Sequence, residues 1–254
     1  MLLTIDIGNS NIVLALYNAN KQRVFDYRTD TFKSTDEAAY EIWMQTHVLN
    51  HDMKFDRFVI SNVVPVIDEI FYNTLIRLSG KKGYTINVTM FPDFKVLLKN
   101  PLELGADFLA TSFGALVKYP RPIIIVDLGS ATKISVLNEQ GEFLGGLITP
   151  GIRVAQDALN QFIPHLPTIP LNMPKSVIGQ DTISAMQAGL MYSTITSIEG
   201  ICRQIDVELG STCTKILTGG LSTLITKQLP EFEYEPFLLN EGLVEIDNKL
   251  KLLV

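Results

Sequence analysis

The sequence predicts an α/β fold made of two related halves, each a mixed sheet with flanking helices. Three observations carry that expectation. One phrase occurs twice, over residues 4–16 and 126–136: an apolar run, an aspartate, one residue, a glycine, small polar residues and a second apolar run. The patterns around each copy follow the same order, β-β-β-α-β-α. Between the copies, Tyr119-Pro120-Arg121-Pro122 sets two prolines where a helix must stop and a strand begin. The expected division is 1–119 for the N-terminal half and 122–254 for the C-terminal half. A chain of 254 residues, 46% of them apolar, can supply a core for each.

In chain order, residues 2–7, 12–17 and 23–27 read as short strands, the last two joined by the turn-favouring Asn18-Ala19-Asn20. Thr35, Asp36 and Glu37 open a helix whose apolar positions Ala38, Ile42 and Val48 run on to Leu49. Residues 58–63 form a strand, Pro65 starts a helix reaching Leu78, and 84–88 is a further strand. Phe91 to Lys99 carries no assignable pattern. Leu104-Gly105-Ala106-Asp107 opens a helix through Leu116, where Asp107 either caps the first turn or stands in a cleft.

The second half repeats this order. Residues 123–127, 132–138 and 142–148 are strands, with a turn at Glu139-Gln140-Gly141. Gly145-Gly146-Leu147-Ile148-Thr149-Pro150-Gly151 leads into a helix over 152–162 and allows a close backbone approach, to a ligand or simply at a tight strand-to-helix corner. Pro164, Pro167, Pro170 and Pro174 make an extended linker. An apolar-periodic pattern over 179–208 is one long helix or two. Ile216-Leu217 is a strand, and Thr218-Gly219-Gly220-Leu221 turns into a helix whose N-terminus can meet an anion or a nucleoside. Residues 237–239 make a final strand, and Glu241-Gly242-Leu243 ends the fold.

The chemistry is concentrated at the two repeated phrases. Asp6 and Asp127 each end a buried strand beside a glycine, where desolvation demands a partner. Each hairpin tip offers backbone N–H groups and hydroxyls to phosphate oxygens, and its aspartate to Mg²⁺. The chain lacks the G-x-x-x-x-G-K-[ST] phosphate loop and a G-x-G-x-x-G after a strand, so neither of those routes to nucleotide binding applies. His47 and His51 have a metal-binding spacing without further support, and are read as a solvated helix face; His165 is read as structural or surface. Ser112 has no nucleophile-elbow context. A net charge of -6 argues against non-specific nucleic-acid binding. Cys202 and Cys213 make no disulfide framework, and Cys202 reads as a buried thiol. Asp6 interrupts the first apolar run, and no run reaches the ~20 apolar residues of a membrane span, so a cytoplasmic location is expected.

The duplicated plan resembles the actin, sugar-kinase and Hsp70 nucleotide-binding fold (actin-like, ribonuclease H-like halves) over nearly the whole chain. Within it, the sequence is most similar to the type III pantothenate kinases. The motifs that carry this resemblance are Asp6-Ile7-Gly8-Asn9-Ser10, Asn100-Pro101 with Leu104-Gly105-Ala106-Asp107, and Asp127-Leu128-Gly129-Ser130-Ala131-Thr132. Gly145-Gly146-x-Ile148-x-Pro150-Gly151, Thr218-Gly219-Gly220-Leu221 and Leu239-x-x-Gly242-Leu243 follow in order.

The resemblance implies ATP-dependent phosphorylation of pantothenate to 4'-phosphopantothenate, the first step of coenzyme A biosynthesis. It implies that Asp6 holds Mg²⁺, through water, and that the tips Gly8, Asn9, Ser10, Asn11 and Gly129, Ser130, Ala131, Thr132 cradle phosphates. Gly219 and Gly220 would lie near the nucleoside, and Asp107 would take the proton of the attacking hydroxyl. Gly105, Ala106, Phe108 and Leu98 would line the pantothenate site. K⁺ or NH₄⁺ would lie by Asp127. A homodimer partner would complete the pocket with its long helix near Thr182. The sequence departs from the family pattern at Phe108, where Arg is usual, and at Leu98, where Tyr is usual. Lys133 and Ser135 stand for Thr and Asp in the second hairpin, and Ser193 for a common glycine. Two other readings stay open here: a weak or inactive nucleotide-binding regulator, and a kinase of the same fold for another small hydroxyl substrate.

Overall fold

The computed structural model describes residues 1–51 and 54–251. Its strands are β1 (Leu2–Ile7), β2 (Asn11–Tyr17), β3 (Arg23–Asp30), β4 (Arg57–Asn62), β5 (Lys82–Thr85), β6 (Ile123–Leu128), β7 (Ala131–Leu137), β8 (Phe143–Pro150), β9 (Thr214–Thr218) and β10 (Glu233–Tyr234). Its α-helices are α1 (Glu37–Met44), α2 (Asp68–Ser79), α3 (Ala106–Lys118), α4 (Ile152–Phe162), α5 (Thr182–Leu209) and α6 (Leu238–Lys251). The chain forms two compact units. The first takes Met1–Phe94, Lys99–Val117 and the C-terminal helix α6; the second takes Lys95–Leu98 and Lys118–Phe237.

In the first unit the strands lie in the order β3-β2-β1-β4-β5, the first three antiparallel and β1, β4 and β5 parallel. Alternation puts Leu3, Ile5 and Ile7 on one face, where with Ile12 and Leu14 they bury Tyr40 and Met44 of α1 and Phe71 and Leu75 of α2. Asp36 caps α1 by accepting the Ala39 N–H at 2.7 Å, and a π-helical turn over Gln45–Leu49 continues it. Thr4 and Asp6 fall on the opposite face. There the Thr4 hydroxyl accepts from Asn240 of α6 at 3.0 Å. The second unit repeats the sheet as β8-β7-β6-β9-β10, with the same directions. Ile124, Val126 and Leu128 pack with Ile152 of α4 and Met191, Ile195 and Ile198 of α5.

Four expectations need correction. The strand expected at 84–88 ends at Thr85, because the Asn87 side chain accepts the Thr89 N–H and closes a 3₁₀ turn over Val88–Met90. The turn at 218–221 leads into two short 3₁₀ turns, Ser222–Leu224 and Thr226–Gln228, not an α-helix. There the Ser222 hydroxyl donates to the Gly219 carbonyl at 2.5 Å and the backbone closes i to i+3. The expected final strand at 237–239 is the start of α6. Gly242 lies inside that helix because a Cβ there would strike the Ala110 carbonyl of α3, so its absence lets the two helices meet. The chain's end therefore belongs to the first unit, not to the second half. Finally, His47 and His51 are not a solvated face: His47 stacks on Trp43 at 5.4 Å and His51 lies against Tyr27 at 4.0 Å. The pattern over 179–208 is one helix, α5, opened by a capping box between Asp181 and Ser184.

Candidate active site

The first tip is the three-residue connection Gly8-Asn9-Ser10 between β1 and β2. Gly8 donates its N–H to the Asn11 carbonyl at 2.9 Å. The end of β3 braces it: Thr31 donates its hydroxyl to the Gly8 carbonyl at 2.6 Å and its N–H to the Ser10 carbonyl at 3.0 Å. Asn11 donates to Asp30 at 3.1 Å. Asn9 and Ser10 remain exposed. Asp6, half-buried, pairs in register with Val13 on β2 and Ser61 on β4. The Ser61 hydroxyl is buried with no hydrogen-bond partner among the described residues.

The second tip is shorter, the two residues Gly129-Ser130 between β6 and β7. It is clamped from the third strand as the first tip is, but by Gly151, whose N–H donates to the Ser130 carbonyl at 3.1 Å. A Cβ at Gly151 would strike the Gly129 carbonyl, and one at Gly146 would strike the Ile134 carbonyl. The glycine-rich stretch 145–151 is thus a close approach of the chain to its own hairpin, which explains both its composition and its corner. Ala131 is half-buried and Thr132 buried.

Asp127 is engaged from both neighbouring strands. It pairs in register with Lys133 across β6–β7 and with Thr218 on β9. The Lys133 ammonium lies 2.7 Å from Asp127 Oδ2, with both side chains about four-fifths buried, at 20% and 18% exposure. On the other side, Gly219 has φ +93°, and a Cβ there would strike Asp127 Oδ1 and crowd the Leu128 backbone. The Leu221 N–H donates to the Leu128 carbonyl at 3.0 Å, fixing that turn at the end of β6. The T-G-G-L motif therefore wraps the aspartate-bearing strand end by backbone contact. The exposed Gly220 follows on the same turn.

Asp107 stands in the first turn of α3 and is 7% exposed. Its Oδ1 accepts the Phe108 N–H at 2.8 Å. A Cβ on Gly105 would come within 2.6 Å of that same oxygen. Gly105 accepts the Leu109 N–H through its carbonyl at 3.0 Å, Ala106 is buried and Phe108 half-buried. The glycine two residues before the aspartate leaves room for its carboxylate, and the helix N-terminus favours the charge there. Asn100 acts structurally, accepting the Leu102 N–H and starting the 3₁₀ turn Pro101–Glu103. Leu98 lies in the second unit beside Gly145, and Thr182 is the exposed first residue of α5. Thr31, Ser61 and the Lys133–Asp127 pairing were not anticipated. The last was open to sequence reasoning: pairing Leu128 with Thr132 across the tip sets Lys133 opposite Asp127.

A family model for type III pantothenate kinase matches residues 2–204. Curated relatives match almost end to end. The type III pantothenate kinase of Moorella thermoacetica is 33% identical over 246 residues, covering 96% of this chain and 97% of its own. That of a Parafrankia species is 36% identical over 248 residues, covering 96% of each. The chain belongs to the type III pantothenate kinase family. Among solved structures, a Campylobacter jejuni chain described as a Baf family transcriptional activator superposes with a TM-score of 0.64 at 19% identity, covering 98% of both chains. The activator of 2-hydroxyisocaproyl-CoA dehydratase from Clostridium difficile does so with a TM-score of 0.51 at 13% identity, covering 99% of this chain and 96% of that one. These likenesses are of fold: the duplicated, actin-like α/β architecture is the one this pantothenate kinase family member adopts. Among the described residues no helix is long and apolar enough to cross a membrane, and no cluster of three metal-ligating His, Cys, Asp or Glu residues occurs.

Proposed function

We propose that this chain transfers the γ-phosphoryl group of ATP to the primary hydroxyl of pantothenate, in the cytoplasm, as a homodimer. The observation that carries the reading beyond family membership is Asp107. It is a carboxylate 7% exposed, held at a helix N-terminus by the Phe108 N–H, in a chain that also keeps both aspartate-bearing tips. In the step we assign, the pantothenate hydroxyl oxygen forms a bond to the γ-phosphorus as the bond from that phosphorus to the β,γ-bridging oxygen breaks. ADP leaves with the electron pair, and Asp107 takes the hydroxyl proton.

The residues of the first tip fit a divalent ion carried by the nucleotide. A hard cation takes oxygen ligands, few of them from protein when phosphates and water supply the rest. Asp6 is one such carboxylate, and the orphaned Ser61 hydroxyl is its register neighbour. Mg²⁺, when bound, neutralises charge on the phosphate oxygens. Gly8, Asn9, Ser10 and Asn11, with Gly129, Ser130, Ala131 and Thr132, are assigned to the phosphates; Gly219 and Gly220 are assigned to the nucleoside. Gly105, Ala106, Phe108 and Leu98 are assigned to pantothenate, with Thr182 of the partner subunit. The exposed apolar residues Ile178, just before α5, and Ile183, in its first turn, support the homodimer. The K⁺ or NH₄⁺ that the family resemblance implies at Asp127 does not fit the residues present, because the Lys133 ammonium already bonds that carboxylate.

The test is pantothenate-dependent ADP release in Mg·ATP, with the phosphorylated product identified by mass spectrometry. Asp107→Asn is expected to lower kcat at least about a hundredfold while leaving nucleotide binding unchanged. A variant that keeps more than a tenth of the wild-type rate removes Asp107 from the role of base.

A further inference from the structure

We infer that Lys133 is a built-in cation: its ammonium supplies at Asp127 the positive charge that a soluble monovalent ion would otherwise bring, so turnover does not depend on K⁺ or NH₄⁺. This deepens the proposed kinase reading and rests on it for the link to turnover. Asp127 is the penultimate residue of β6, one residue before the tip assigned to phosphate. An uncompensated carboxylate there would repel a polyphosphate and would be costly to desolvate. The structure compensates it from the facing strand: Lys133 reaches Oδ2 at 2.7 Å. On the other side the missing side chain of Gly219 leaves room for Oδ1. A free cation needs several oxygen ligands about it, and one placed at this carboxylate would also meet a like charge already at hydrogen-bond distance.

The position is fixed, not incidental. Residues 127 and 133 are direct cross-strand partners in a hairpin whose register is set on both flanks, by β9 against β6 and by β8 against β7. Facing side chains on such a pair lie close enough for a lysine and an aspartate to meet without strain. At the equivalent place in the first hairpin the partner of Asp6 is Val13, which carries no charge. The second aspartate has a covalently attached cation at its cross-strand position, where the first has a valine.

The experiment titrates K⁺ and NH₄⁺ into wild type, Lys133→Met and Lys133→Arg in an otherwise organic-cation buffer. Turnover and the melting temperature with Mg·ADP are read in parallel. Wild type and Lys133→Arg are expected to change rate by less than about twofold across the titration, whereas Lys133→Met loses at least about tenfold without added cation and recovers with K⁺ or NH₄⁺. In the melting arm, cation raises Lys133→Met by about 3 °C and leaves wild type unmoved. A purely structural lysine would not create that cation dependence. Wild type stimulated about fivefold or more by K⁺ overturns the proposal without any variant, as does a Lys133→Met enzyme that is fully active without cation. Because the melting arm needs only nucleotide, a protein inert toward pantothenate whose Lys133→Met variant alone gains a K⁺-dependent shift would sink the substrate reading and keep this one.

Discussion

The β1–β2 hairpin and the β6–β7 hairpin bury their residues in the same pattern. Each first strand has four buried residues, a half-buried aspartate and one more buried residue. Each second strand alternates once and then has four buried residues. The two differ only where this pattern leaves freedom. The first tip has three residues and the second two, and the aspartate faces Val13 in one and Lys133 in the other. The brace differs as well: a threonine hydroxyl and N–H on the first tip, and the backbone of Gly151 on the second. The lesson is that a duplicated core constrains the buried positions tightly, because any change there alters packing on both faces. The half-buried positions beside the tip are where the copies part: Asp127 is ion-paired to Lys133, and Asp6 faces Val13.

That comparison can be broken most directly by making the first hairpin like the second. Val13→Lys sets an ammonium opposite Asp6 and should compete with Mg²⁺, lowering kcat/KM about a hundredfold while the melting temperature stays within about 2 °C. Wild-type kinetics in this variant would mean that Asp6 does not serve the metal. The next effect is on stability and belongs to the second hairpin alone. Gly219→Ala puts a side chain at φ +93° against Asp127 and Leu128 and should cost about 3 kcal/mol, read as a lowered urea midpoint. The smallest tests the brace on the first tip. Thr31→Val removes the 2.6 Å hydrogen bond to the Gly8 carbonyl and should cost about 1 kcal/mol in urea unfolding, with a raised KM for ATP as the tip loosens. An unchanged KM would show that Thr31 supports the fold and not the tip's geometry.

Much of this was legible residue by residue. Asp6 and Asp127 stood out because a carboxylate at the end of an apolar run contradicts the core around it. Asp107 was legible as a helix-opening aspartate, though its near-complete burial was not, since exposure depends on what packs over the turn. Gly242 misled: in a single sequence, a glycine that ends the fold after a last strand and one that admits a neighbouring backbone inside a helix look the same. The glycines at 145–151 were correctly read as a close approach, but the partner, the hairpin tip itself, is set by β8 folding back on β7. The histidines at 47 and 51 were placed in solvent: nothing local reveals that Phe25 and Tyr27 of β3 lie beside His51, and the stacking of His47 on Trp43, one turn back, was missed.

By itself the sequence determined the duplicated α/β plan, the order of most elements along the chain, the paired aspartates and the family, because hydrophobic period and turn chemistry are local properties of the chain. Tertiary structure decided what the local pattern leaves degenerate. It took the C-terminal helix into the first unit, wrapped the T-G-G-L turn round the end of β6, and put Lys133 on Asp127. Each of these depends on which distant backbone comes within a few ångströms, and that is set by the packing of whole sheets and helices.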